Sequence, residues 1–140
     1  MKKNEVKKNN KGFSLVELIV VIAIMAVLVG VLAPQFIKYV EKSRISTDIQ
    51  NVDQVKTAVE VWCTENEKTG TVFTLNSGST SATVESAFQP AMALAGLDNT
   101  IKFKSSKWSG ITMSVSDTGV AVSGSAIYDG TTYGIDGSKS

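Results

Sequence analysis

The sequence predicts an α+β fold, with one long N-terminal helix, apolar over its first half and amphipathic over its second, packed on a C-terminal antiparallel sheet of three to four strands. Three observations predict it. An unbroken apolar run stands near the start of the chain, a stripe of apolar residues at spacings of three and four continues it, and the last third alternates apolar and polar residues between glycine-containing turns.

The chain has 140 residues and a formal net charge of +1, but the charge is unevenly placed. Lys2, Lys3, Lys7, Lys8 and Lys11 against Glu5 give the first twelve residues a net +4 and leave the remainder at −3. A basic block before an apolar run is what the cytoplasmic face of a membrane attracts, whereas the weakly acidic remainder gives no electrostatic case for nucleic acid. Residues 1–12, MKKNEVKKNNKG, hold too little apolar surface to fold and read as a leader. From Leu18 to Ala33 every residue is apolar or glycine, and from Phe13 the stretch is 21 residues long with only Ser14 and Glu17 interrupting it. About 20 residues are needed to cross a bilayer. An ordinary secretory signal also has a basic start, but its small-residue cleavage site follows the apolar run, where this chain has Pro34-Gln35-Phe36-Ile37.

Beyond Pro34, Ile37, Val40, Ile45, Ile49, Val52, Val55, Val59 and Trp62 recur mostly every three or four residues, the period of one helix face. Lys38, Glu41, Lys42, Arg44, Asp48, Asp53, Lys56 and Glu60 between them read as the solvated face. A helix from about Ser14 to Asn66 would be roughly 80 Å long at about 1.5 Å per residue, more than a domain of this size needs for its own core. Thr69–Thr83 reads as a loop with room for a short edge strand at Thr71–Leu75, and Val84–Leu97 as a short helix interrupted near Pro90. After Asp98-Asn99, strands are expected around Ile101 and Phe103, around Ile111, Met113 and Val115, from Val120 to Tyr128, and around Tyr133 and Ile135. Asp117-Thr118-Gly119 and Asp129-Gly130 are hairpin signals. The sheet is expected to pack on the Ile45–Trp62 part of the helix.

Function classes narrow quickly. The chain has no histidine, which excludes Ser-His and Cys-His nucleophilic sites and histidine-containing zinc sites. Cys63 is alone and reads as a buried thiol. Asp129 and Asp136 beside glycines lack calcium-loop spacing and read as turn residues, and Trp62 and Trp108 read as core and strand-edge aromatics. No catalytic residue, metal site or cofactor is expected, and the chain does not read as an enzyme.

Residues Lys11 to Ile22, KGFSLVELIVVI, resemble the N-terminal signature of type IV prepilins and the related pseudopilins. The resemblance covers about residues 8–50 in sequence and the rest in architecture only. It implies that a prepilin peptidase cuts between Gly12 and Phe13, that the new Phe13 amine is methylated, and that Glu17 becomes the fifth mature residue. It further implies that Glu17 meets the charged Phe13 amine of a neighbouring subunit as helices pack in a filament. Physical chemistry supports the same positions. A small residue at Gly12 opens the backbone to a protease, and a carboxylate in an apolar helix is costly without a partner. Ser14-Leu15-Val16-Glu17 is also a capping-box pattern, which by itself accounts for a carboxylate here. Gly30 and Pro34, one turn apart, mark a predicted kink, and the resemblance implies local melting there on entry into the fibre. Many pilins close their C-terminal region with a disulfide, for which Cys63 has no partner here.

The expected organisation is a leader over 1–12, a transmembrane and assembly helix over 13–34 and an α+β head over 35–140. The expected function is a structural subunit, a major pilin, of a type IV pilus for adhesion or motility. The subunit would lie single-pass in the cytoplasmic membrane and then in an extracellular filament. Expected partners are further copies of the chain, prepilin peptidase, an inner-membrane assembly platform with its ATPase, and the bilayer before assembly. Two alternatives share parts of the pattern: a pseudopilin of a secretion or DNA-uptake system, and a signal-anchored surface domain that binds a ligand without polymerising.

Overall fold

The computed structural model describes residues 12–140, so the lysines of the expected leader lie outside the described residues. The described chain divides into two compact units, one ending at Ile37 and the other running Lys38–Ser140. One helix, α1, runs Leu15–Glu65, within a residue of the expected ends at both termini. Pro34 lies inside it rather than ending it. A proline has no N–H for the carbonyl four residues earlier, so Gly30 is where the helical hydrogen-bond ladder loses a rung.

From Leu15 to Ile37 no α1 side chain is buried, and the most apolar window there has a mean hydropathy of 3.1. In the second unit the same helix turns amphipathic and buries Ile45, Asp48, Val52, Val55, Ala58, Val59 and Trp62. The predicted stripe holds with two corrections. Ile37 is exposed and joins no core, and Asp48, expected on the solvated face, is fully buried.

Against this stripe lies the predicted antiparallel sheet. Its strands are β1 (Gly70–Leu75), β4 (Trp108–Ser116), β5 (Gly119–Tyr128) and β6 (Thr131–Gly134), in the order β1-β4-β5-β6. Val72, Phe73, Leu75, Ile111, Met113, Val115, Ala126 and Tyr133 meet Ile45, Val52, Val55, Val59 and Trp62 in one core. The fold is thus α+β as predicted, with a four-stranded sheet.

Local chemistry places the turns. Tyr128 pairs with Thr131 across a two-residue turn in which Asp129 has φ 52° and Gly130 φ 73°, the left-handed pair of a type I′ hairpin. Ser116 pairs with Gly119, so the other turn is Asp117-Thr118 and Gly119 already opens β5. The β4–β5 register shifts between Trp108 and Ile111. Opposite that bulge Gly124 has φ 148°, and a Cβ there would lie 2.5 Å from the Gly110 carbonyl oxygen.

Two expectations are corrected, one by pairing between distant segments and one by local helix geometry, and the optional edge strand is realised. The residues around Ile101 do not open the sheet: β3 (Thr100–Lys102) pairs with β2 (Ser81–Thr83) in a separate two-stranded sheet. The place beside β4 goes to β1, the segment expected as an optional edge strand. Pro90 does not interrupt a helix but sits in the first turn of α2 (Gln89–Leu94), where its missing donor costs nothing. A 3₁₀ turn over Ser86–Phe88 precedes α2 and buries Phe88 edge-on against Trp62.

Candidate functional site

The residues singled out by the sequence cluster at the start of α1. Gly12, Phe13 and Ser14 precede the helix, and a Cβ added at Gly12 would meet nothing within 4 Å. Gly12 is itself exposed. Phe13 is 92% exposed.

Ser14 is the helix N-cap. The Glu17 N–H donates to Ser14 Oγ at 3.2 Å, and the Ser14 N–H donates to Glu17 Oε2 at 3.2 Å. This is the reciprocal capping box that the spacing predicted, and it satisfies two donors that a helix start otherwise leaves to solvent. The negative carboxylate also lies at the positive end of the helix dipole. Two consequences follow for chemistry here. The Ser14 N–H belongs to the Phe13–Ser14 peptide, so a cut before Phe13 leaves the box whole. Glu17 Oε1 accepts no hydrogen bond among the described residues, so one oxygen remains for a further donor.

Gly30 is exposed with open space around it, and Pro34 follows it by one turn within the helix. The apolar side chains from Leu15 to Leu32 stand half exposed or more on every side of the helix, so the stripe that makes the second unit's helix one-sided is absent here. A helix that is apolar all round is stable in lipid or against other helices, not in water.

Sequence reasoning missed a second cluster, in the C-terminal unit. Asp48 accepts the backbone N–H groups of Lys104 at 2.7 Å and Ser105 at 2.9 Å and the Trp108 indole N–H at 3.0 Å. The Ser105 hydroxyl donates in turn to Glu41. A buried carboxylate is tolerated here because three donors replace its water. A signal was present: Glu41, Ile45, Asp48, Val52, Val55, Val59 and Trp62 keep one three-four phase, so Glu41 and Asp48 sit on the buried stripe despite their charge. Asp129, read as a turn residue, also carries Lys38 at 3.3 Å and Lys42 at 3.7 Å, partly exposed pairs of modest strength. Cys63 is partly buried, and desolvation raises its thiol pKa above the ordinary value, so the thiolate is disfavoured.

Residues 7–33 match the model of the prokaryotic N-terminal methylation motif. The chain is 33% identical over 67 residues to the type IV major fimbrial protein FimA of Dichelobacter nodosus, covering 48% of this chain and 43% of that one. It is 35% identical over 85 residues to prepilin peptidase-dependent protein A of Clostridium perfringens, covering 60% and 61%. The type IV major pilin protein PilA of Myxococcus xanthus is 31% identical over 68 residues, covering 49% and 31%. The chain thus spans less than two thirds of the length of each of these relatives. No solved structure gives a significant match.

Proposed function

We propose that this chain, whose residues 7–33 match the prokaryotic N-terminal methylation motif and which is similar to proteins named type IV major fimbrial and major pilin proteins, is a pilus subunit whose apolar helix is first its membrane anchor and then its assembly surface. One observation carries the reading most directly. The helix from Leu15 to Ile37 exposes apolar side chains all round and buries none among the described residues, next to exposed Gly12 and Phe13 and a Glu17 with one oxygen unengaged among those residues. Such a surface takes lipid as its partner before assembly and other copies of itself afterwards.

In this reading prepilin peptidase cleaves between Gly12 and Phe13 at the cytoplasmic face, to which the leader lysines hold the bond, and the Phe13 amine is methylated. The product keeps its whole anchor, the difference from ordinary signal cleavage. An inner-membrane assembly platform with its ATPase then draws the subunit from the cytoplasmic membrane into an extracellular filament that serves adhesion or motility. Burial between helices supplies affinity at about 25 cal/mol per Å² of apolar surface. The free Glu17 oxygen receives the Phe13 ammonium of a neighbour, which sets register because a misplaced helix leaves both charges buried without a partner. Gly30 and Pro34 supply the weak turn at which α1 bends or locally unwinds during transfer.

The test is N-terminal mass analysis of the mature protein from cells. A chain beginning at methylated Phe13 is expected. A chain beginning at Met1, or beyond Pro34, overturns the reading, as does normal processing of Gly12→Glu, which places a bulky charged side chain beside the bond.

A further inference from the structure

Among the described residues of the C-terminal unit, four large apolar side chains stand exposed: Tyr39, Val61, Leu94 and Ile127. Two of them share one surface. Val61 (65% exposed) and Leu94 (77% exposed) line a groove of about 660 Å³ between α1 and α2, whose floor includes Trp62 and Leu97. Its rim carries Asp53 and Glu65, and neither has an ion-pair partner among the described residues, whereas nearby Glu60 is engaged by Lys56. The groove is therefore apolar within and acidic at its edge.

Tyr39 (68% exposed) belongs to a surface of the opposite sign. It lines a hollow with Val40, Ser43, Arg44, Thr47 and Lys104. Asp48 holds the backbone N–H of Lys104 there, and the Lys104 ammonium has no ion-pair partner among the described residues. Arg44 has only Glu41, at 3.5 Å. An exposed aromatic ring beside two cations thus stands near the start of this unit's part of α1, and an apolar groove with an acidic rim lies toward its end.

The geometry points to a contact between copies of this chain in which the Tyr39–Lys104 face of one seats in the α1–α2 groove of the next. The ring of Tyr39 lies on Val61 and Leu94, and Arg44 and Lys104 meet Asp53 and Glu65. The inference rests on the filament reading and adds to it the surfaces that the C-terminal units use. A second copy is the occupant because it presents both the aromatic side chain and the charges the groove lacks, at an aromatic and arginine composition suited to interface centres. The two surfaces differ, so the contact is heterologous and leaves a free groove and a free Tyr39 face at the ends of any pair. Such a contact propagates. Tyr39 and Val61 are separated along α1 by about 33 Å at roughly 1.5 Å per residue, which is the axial stagger expected between the contacting copies.

The test uses full-length chain carrying Cys63→Ser, with Tyr39→Cys and Leu94→Cys added singly or together, and filaments sheared from cells and treated with a short bismaleimide. The double variant is expected to give a ladder of covalent subunit multimers on denaturing gels, and each single variant only monomer. Intact filaments of the double variant that stay monomeric, or single variants that crosslink to themselves, overturn the contact while leaving polymerisation intact. Absence of filaments from the Cys63→Ser parent and the unaltered chain overturns the filament reading itself. A second arm does not depend on cysteine geometry. Glu65→Lys should lower fibre yield about fivefold or more, and adding Lys104→Glu should return it to within about twofold of wild type, since the pair is then restored with its signs exchanged. No rescue by Lys104→Glu overturns the contact.

Discussion

Glu17→Gln separates the helix-capping role of Glu17 from its proposed charge pairing in assembly. In the folded chain the Glu17 carboxylate accepts one hydrogen bond, from the Ser14 N–H at 3.2 Å, and the Glu17 N–H donates to Ser14 Oγ at the same distance. A glutamine carbonyl accepts the first bond and leaves the second untouched, so the cap loses only the charge term at the helix start, about 0.3–1 kcal/mol. Processing before Phe13 should continue, because the cut lies outside the helix and a neutral side chain enters lipid more easily. Assembly should suffer far more. A neighbour's Phe13 ammonium would enter an apolar filament interior without its counter-charge, at about 3–5 kcal/mol, or two to more than three orders of magnitude in docking at about 1.4 kcal/mol per tenfold. Glu17→Ala should be worse still by the lost bond from the Ser14 N–H, about 0.5–1.5 kcal/mol. The assay is the yield of sheared fibre relative to the cellular pool of processed subunit, in cells carrying only the variant. A wild-type ratio for Glu17→Gln would leave the capping box as the whole explanation of Glu17 and refute the charge pairing.

Three further outcomes test the C-terminal unit. Asp48→Ala strands two backbone N–H groups and the Trp108 indole N–H in a buried site; at about 1–3 kcal/mol for each unmet donor, partly relieved by water, the loss should be about 3–5 kcal/mol. Urea unfolding of the detergent-solubilised chain followed by tryptophan fluorescence measures it, and a loss below about 1 kcal/mol would contradict the assigned role. Gly124→Ala should destabilise by about 2–4 kcal/mol, because φ is 148° and the new Cβ meets backbone atoms of Gly110 and Ile111 that cannot swing aside, whereas Gly78→Ala, with open space around it, should cost about 1 kcal/mol in the same assay. The Ser138 hydroxyl, and then its backbone N–H, donate to Asp136 and hold its carboxyl pKa below the ordinary 3.8. The turn is therefore supported at pH values above 3.8 and loses that support as pH falls through the lower folded value. Exchange of the Ser138 amide should quicken over that window, and Asp136→Asn should abolish the dependence.

What the sequence determined by itself was whatever depends on neighbours along the chain. The apolar run, the 3.6-residue stripe, the Ser14–Glu17 cap and the Asp129-Gly130 hairpin each rest on contacts within a few residues or on a repeated period, so residue order is enough to state them. The residues proposed for processing and assembly could be named for the same reason, since Gly12, Phe13 and Glu17 fall within one local segment of the sequence. Tertiary structure decided what depends on partners far along the chain. β1 rather than the segment around Ile101 lies beside β4, because strand order is chosen by which apolar face closes over α1, and local alternation is the same for either segment. Asp48 is buried because a loop and the first residue of β4, 56 to 60 residues later, bring it three donors, although its helical phase already placed it on the covered stripe. The hollow at Tyr39 likewise joins α1 to Lys104, whose backbone N–H Asp48 holds, and the α1–α2 groove joins Val61 and Trp62 to Leu94 and Leu97, segments far apart in sequence. A charge in sequence is free to face water until folding supplies enough hydrogen bonds to replace that water, and only the three-dimensional arrangement supplies them.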